Sequence, residues 1–181
     1  MTNKKPTFAI LCAAILAIFA IPAMSDASEN VKPIQISIWN PLQIYPAEKD
    51  IHGLRLNLIY GVNKDVYGVD AGIINHTTGV VKGWQWGIVG YNEGDFYGFQ
   101  NTWVNITTQK FEGLQYGIYN GVGNGAGVQV GFINIAEQME GLQLGLFNMT
   151  QRMNGLQIGL LNIIQEKENP PVFPIINWSF D

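Results

Sequence analysis

His52 and His76 are the only histidines in the chain, and the single cysteine, Cys12, lies far from both. A protein metal site needs three or four clustered His, Cys or carboxylate ligands, and no such spacing occurs, so no metal or other cofactor is expected. His52 stands just ahead of a glycine and His76 just after an asparagine, and both read as surface turn residues. Ser, His and Asp are all present, but no nucleophile elbow accompanies them. The run Gly121-Val122-Gly123-Asn124-Gly125-Ala126-Gly127 has the glycine content of a phosphate-binding loop. It lacks the Lys-Ser/Thr pair, and Ala126 occupies the place of a dinucleotide-fingerprint glycine, so it reads as a flexible turn. The chain is therefore not expected to be an enzyme.

Two constellations could still make contacts. Arg55 and Asp70 are opposite charges 15 residues apart, and Trp84, Trp86 and Trp103 form an aromatic cluster with Phe99 and Tyr116. What these residues can do depends on the elements that carry them.

Those elements are units of a tandem repeat. Glycines at 53, 68, 83, 98, 113, 127, 141 and 155 each open a unit of 14 or 15 residues, written G-φ-Q-φ-G-φ-φ-N with φ apolar. The cleanest units are Gly141-Leu142-Gln143-Leu144-Gly145-Leu146-Phe147-Asn148 and Gly155-Leu156-Gln157-Ile158-Gly159-Leu160-Leu161-Asn162. Apolar residues at the second, fourth and sixth positions alternate with Gln and Gly, the pattern of a strand with one buried face. That face is expected to hold Leu142, Leu144 and Leu146, leaving a Gln and Gly face outside. A further apolar residue recurs two places before the leading glycine, at Val66, Val81, Phe96, Phe111, Met139 and Met153, and almost all the charge lies in the stretches between strands.

Two architectures accommodate such units. One is a β-solenoid of about eight coils, stacked at about 4.8 Å. The other is an outer-membrane β-barrel of 8–10 strands, one strand per unit, with its apolar side in lipid. Gln recurs at the third position in units such as Gln85, Gln115 and Gln143, and Asn at the eighth, as in Asn75, Asn120 and Asn148. Coils that all run the same way stack like residues into amide ladders, whereas antiparallel strands send the same mark to opposite membrane faces. The solenoid is the favoured reading, with the corner Asn expected in a left-handed conformation.

In that register Arg55 and Asp70 become neighbours, either as a solvated ion pair or as a small polar site at one end of the array. Trp84, Trp86 and Trp103 fall on apolar positions. Core packing is the default for them, and an exposed strip for ligand or glycan contact is the alternative. Asn75, Asn105, Asn148 and Asn177 each open a glycosylation sequon, which the repeat's own asparagine generates in three of the four cases.

Lys4 and Lys5, the apolar run Phe8 to Ile21, and the small residues Ala23, Ser25 and Ala27 read as a secretory signal at 1–27, with cleavage after Ala27 and Ser25 as second choice. Residues 28–52 supply an N-terminal strand and cap, 53–168 the array, and 169–181 a capping strand punctuated by Pro170, Pro171 and Pro174. The formal charge is −4. Loss of the leader takes it to about −5, which disfavours nucleic acid and anionic membrane surfaces as partners.

The blocks Gly141–Asn148 and Gly155–Asn162 resemble the bacterial surface-repeat proteins whose units read G-L-Q-x-G-L-x-N. The flanks Ile36-Ser37-Ile38-Trp39-Asn40-Pro41 and Phe173-Pro174-Ile175-Ile176-Asn177-Trp178-Ser179-Phe180 are similar too. The fourth unit departs, with Asn101-Thr102 in place of the apolar residue and glycine. The resemblance implies an envelope or surface protein of a Gram-negative bacterium. It is expected to be exported and non-enzymatic, a structural or interaction module with a protein or glycan partner at the cell surface and possible association with the outer membrane.

Overall fold

The computed structural model describes residues 30–168 and 170–180. The expected leader, Cys12 included, lies outside them. Eight strands form one sheet in the order β2-β1-β3-β4-β5-β6-β7-β8. They are β1 (Val31–Trp39), β2 (Leu42–Gln43), β3 (Asp50–Asn63), β4 (Val66–Thr77), β5 (Val81–Asn92), β6 (Phe96–Tyr116), β7 (Tyr119–Ile164) and β8 (Val172–Ser179).

Every pairing from β1–β3 to β6–β7 is parallel. Parallel pairing in this order is the mark of a β-solenoid, and it rules out the antiparallel barrel. Like residues stack in register: Gly53 on Gly68, Gly83 and Gly98, and Arg55 on Asp70, Gln85 and Gln100. β7 runs through the last three coils without a break. The stretch Gly121–Gly127 of β7 pairs with Ile106–Gly113 of β6, so it is ladder backbone and not the expected flexible turn. β2 and β8 pair antiparallel at the two ends and cover the first and last layers.

The coil is inside out relative to the sequence expectation. The repeat glutamines and asparagines, from Gln85 and Asn75 to Gln157 and Asn162, are fully buried. Leu142 and Leu144 are half-buried, and Leu146 is 51% exposed. Alternation defines two faces of a strand but does not say which one points inward. The interior of a 14- or 15-residue coil is narrow, and four inward rows share it. The first is the Gln of the third position, the second the Asn of the eighth, the third the apolar residue two places before the glycine, and the fourth the tenth position, where Thr77, Asn92, Thr107, Val122, Ala136 and Ile164 are buried.

The third row is buried: Val66, Val81, Phe96, Phe111, Met139 and Met153 are at most 3% exposed. Most of these side chains join Val122, Ala136 and Ile164 in one apolar cluster. Chain direction turns where positions six and seven both face outward, as at Phe132 and Ile133 or Leu160 and Leu161. Each coil thus has a first side (positions two and four), a ridge (six and seven), a second side (to position nine) and a third side that carries the charges.

The leading glycines set the stacking distance. All eight have φ between 124° and 149°, a region that L side chains rarely adopt. A Cβ on any of them from Gly68 to Gly155 would strike the carbonyl oxygen of the glycine one coil back. The corner asparagines do not share this conformation, because Ile175 is the only positive-φ residue other than glycine among those described. Their recurrence has another cause, given below. Gly113→Ala is expected to cost about 3 kcal/mol, from strain and overpacking together. Gly121→Ala, whose Cβ would first meet the Tyr119 ring, at 3.0 Å, and no backbone as near, is expected to cost under about 1 kcal/mol. Urea unfolding of the two variants tests this; equal midpoints would remove the glycine row as the spacing device.

Candidate functional site

Two features of the described residues involve the residues singled out in the sequence. One is the buried polar column that ends at Arg55 and Asp70. The other is the outer apolar surface that carries the tryptophans.

The column consists of two amide ladders of opposite polarity. In the glutamine ladder each Nε2 donates to the Oε1 of the preceding coil: Gln100 to Gln85, Gln115 to Gln100, Gln129 to Gln115, Gln143 to Gln129 and Gln157 to Gln143, all at 2.7–2.8 Å. In the asparagine ladder each Nδ2 donates to the following coil: Asn105 to Asn120, Asn134, Asn148 and Asn162 in succession, every bond 2.7 Å. The second N–H of each asparagine reaches a backbone carbonyl, as Asn120 does to Val130 O at 3.0 Å. One amide per coil therefore finds its donor and acceptor needs met by its own kind, which is what allows polar side chains to fill a core.

Arg55 and Asp70 terminate the glutamine ladder. The last donor, Gln85 Nε2, reaches Asp70 Oδ2 at 2.7 Å. Arg55 grips the same carboxylate with Nε to Oδ1 and Nη2 to Oδ2, both 2.7 Å. Its remaining donors go to His76 O (2.8 Å) and the Thr77 hydroxyl (2.9 Å). Both side chains are fully buried, so the solvated ion pair is overturned. The alternative of a polar site at the array's end is also unsupported by their placement, since neither side chain reaches the surface. Asp70 is the acceptor-only cap on a row of donors, and Arg55 neutralises it.

The expected regularity of the asparagine row fails in two places, and each failure is compensated by residues the sequence reading missed. In the first unit Asn57 stands opposite Gly72 and Gly61 opposite Asn75, the reverse of the usual arrangement. Asn57 Nδ2 nevertheless reaches Asn75 Oδ1 at 2.8 Å. In the third unit Gly90 stands where Asn is expected, which breaks the ladder. The acceptor thus stranded, Asn105 Oδ1, is met by the hydroxyl and the backbone N–H of Thr102. The irregular fourth unit keeps unbroken register with the third, and its register against the fifth shifts only between Thr107 and Lys110. The adjacency of a missing Asn and an extra Thr was the available signal.

The sequon asparagines Asn75, Asn105, Asn148 and Asn177 are fully buried. The repeat generates the first three for its ladder, and the folded chain buries all four side chains away from a modifying enzyme.

The tryptophans are outside. Trp84, Trp86 and Trp103 are 47%, 56% and 61% exposed, which overturns the core-packing default. Trp84 and Trp86 share the first side of the third unit, and Trp103 stands on the ridge of the fourth. Trp84 stacks on Phe99 one coil on, with centroids 6.2 Å apart.

Neither histidine occupies a turn. His52 lies in β3 with its ring against Tyr67. His76, in β4, hydrogen-bonds through Nδ1 to the Tyr60 hydroxyl (2.9 Å) and through Nε2 to the Glu93 carboxylate (2.8 Å). This clasp ties three neighbouring layers together. Among the described residues no three His, Cys, Asp or Glu gather as a metal-binding group.

The third side is polar. Lys82 lies over the rings of Tyr67 and Tyr97, and Lys110 over Tyr97. Burial, and then the Asp65 charge, raise the Tyr67 phenol above its ordinary value. A hydrogen bond to Asp95 raises that of Tyr97, and one to Glu112 raises the Lys110 ammonium. A groove of about 430 Å³ opens on this side where Gly125 and Ala126 leave the surface low, bordered by Lys110, Glu140 and Arg152.

Comparison with protein-family models, with curated proteins and with solved structures finds no match to this chain.

Breaking the terminal pair tests the ladder's polarity. Arg55→Gln alone is expected to cost about 3–5 kcal/mol, because it leaves a buried carboxylate without its cation. Adding Asp70→Gln extends the glutamine row by two steps and should restore stability to within about 1 kcal/mol of the parent. The swap Arg55→Asp with Asp70→Arg should fail, since Gln85 would then point its donor at a guanidinium. A swap tolerated as well as the double glutamine, judged by denaturant midpoints, would mean that simple charge pairing is all the site requires.

Proposed function

We propose that this chain is an exported, non-enzymatic repeat module of a bacterial envelope that works by contact. Support for contact comes from one observation. The first side, the ridge and the second side of all eight units carry no Lys, Arg, Asp or Glu, while large apolar residues on them stand exposed. Contiguous apolar surface on this scale marks an interaction site. The contact surface is therefore the leucine and tryptophan face, in place of the Gln and Gly face expected from the sequence, because that face is interior.

Export and envelope address rest on the leader pattern at 1–27 and on the resemblance to surface-repeat proteins. The solenoid suits such a setting. Its described strands need no thiol, and its stability comes from ladder pairing that a change of redox compartment leaves untouched.

Expression of the full chain in a Gram-negative host tests this reading. The mature protein is expected in an envelope or extracellular fraction with Ser28 as its first residue. An intact chain that retains Met1 and stays in the cytosol would overturn it.

A further inference from the structure

We infer that the apolar ridge and its two flanking sides seat this protein on a lipid bilayer, with the solenoid axis along the membrane surface and the charged side in water. The inference rests on the contact reading above and names the partner for that surface.

Shape is the first argument. The sixth position of every unit is a large apolar residue with its side chain outward, and Leu58, Trp103, Phe132 and Leu160 are 65%, 61%, 59% and 70% exposed. Seven inter-coil steps of about 4.8 Å make this a ridge roughly 34 Å long. Apolar residues continue down both flanks of the ridge. A rigid partner with a flat face could cover one flank only, and the ridge and the other flank would stay in water. A fluid apolar medium covers both flanks at once.

Area is the second argument, and it separates lipid from a second copy. Five strand positions at about 3.3 Å give a side roughly 16 Å wide, so one flank outlines on the order of 500 Å². A stable protein dimer buries about 800 Å² per partner. One flank falls short of that figure, and isologous pairing through it would leave most of the apolar surface bare.

Aromatic placement is the third. The chain has five tryptophans, and all five are exposed: Trp39, Trp84, Trp86, Trp103 and Trp178. Tryptophan is enriched where a protein meets the polar boundary of a bilayer, because the ring is apolar and its N–H still finds a partner. An amphipathic body of this kind inserts about 5–10 Å, to the base of the headgroups.

Charge is the fourth. The charged residues of the array that reach solvent lie in the last five positions of each unit, on the third side. The net charge is negative, so attachment draws on apolar burial and needs no anionic lipid.

The test is flotation of the exported, processed protein with phosphatidylcholine vesicles. Co-flotation at low and high salt is expected, together with a blue shift of tryptophan emission. The combined variant Trp103→Lys, Phe132→Lys, Leu160→Lys alters only outward side chains and is expected to lower partitioning at least tenfold with its β circular-dichroism spectrum unchanged. Lys110→Ala with Arg152→Ala, on the third side, should float like the parent and shows that loss is specific to the ridge.

Three results would overturn the inference. One is native protein that stays at the bottom of the gradient. Another is a dimer by sedimentation whose tryptophan emission is already blue without lipid, which assigns the ridge to a second copy. The third is binding confined to anionic vesicles and abolished by salt. Each would leave export intact, so failure here is separable from failure of the envelope reading.

Discussion

Buried side-chain amides tolerate only one kind of neighbour, and that constraint organises the whole chain. A glutamine in a dry interior must place both its donor and its acceptor, or lose about 1–3 kcal/mol for each group left alone. Stacking identical residues one strand spacing apart solves the problem along the axis with a single repeated bond. The solution requires that every coil run the same way, that the spacing never drift, and that the row begin and end properly. Parallel pairing meets the first condition, and the positive-φ glycines meet the second. Arg55 and Asp70 meet the third at the glutamine ladder's donor end.

Polarity explains why the two ladders coexist. Glutamine amides point their N–H groups toward the N-terminal coil, and asparagine amides point theirs toward the C-terminal one. Aligned dipoles sum, as along a helix, so two columns side by side in opposite senses largely cancel. Both donor ends are closed. Gln85 meets the Asp70 carboxylate, while Asn162 meets the carbonyls of Gly159 and Phe173. Of the acceptor ends, Asn105 Oδ1 is met by Thr102, whereas Gln157 Oε1 and, beyond the break, Asn57 Oδ1 find no protein donor among the described residues. That asymmetry is physically sensible, since a carbonyl short of one partner costs less than an orphaned N–H. It also accounts for the anion at the start of the glutamine row. The positive end of a dipole column favours a carboxylate, and a buried carboxylate then needs the bidentate guanidinium beside it.

The repeat period, the parallel stacking and the third apolar row were legible in the chain because each depends on spacing alone. The direction of the faces was not. Leu142 and Gln143 alternate in the same way whichever of them points inward, and the habit of burying leucine gave the wrong answer. Only the recurrence of Gln at one position and Asn at another held the correction, because an exposed position has no need to repeat one residue type. Taken as a constraint on hydrogen-bond partners, that recurrence places both rows inside. The same logic makes the irregularities readable. Gly90 removes an asparagine, and Thr102 in the next unit supplies the missing donor, so a departure that looks like decay is a repair. Trp84, Trp86 and Trp103 were placed on the correct side of the strand but assigned to the wrong side of the wall.

A core built of amides changes what the outside can be. In an ordinary domain most large apolar residues are buried, and contiguous exposed apolar patches stay small. Here the inward strand positions are held by Gln and Asn, whose polar groups are occupied with one another, and leucine and tryptophan stand at the alternate, outward positions. The apolar residues of the repeat are accordingly free to face outward without weakening the column. Charge is then pushed to the one side where the coil turns back, and the cross-section becomes amphipathic by construction. Lengthening such an array by one unit adds one more amide pair inside and one more strip of apolar surface outside. Stability and contact area therefore grow together with coil number, and neither needs a residue poised for chemistry. The exposed apolar strips thus come from the same repeat that builds the amide ladders.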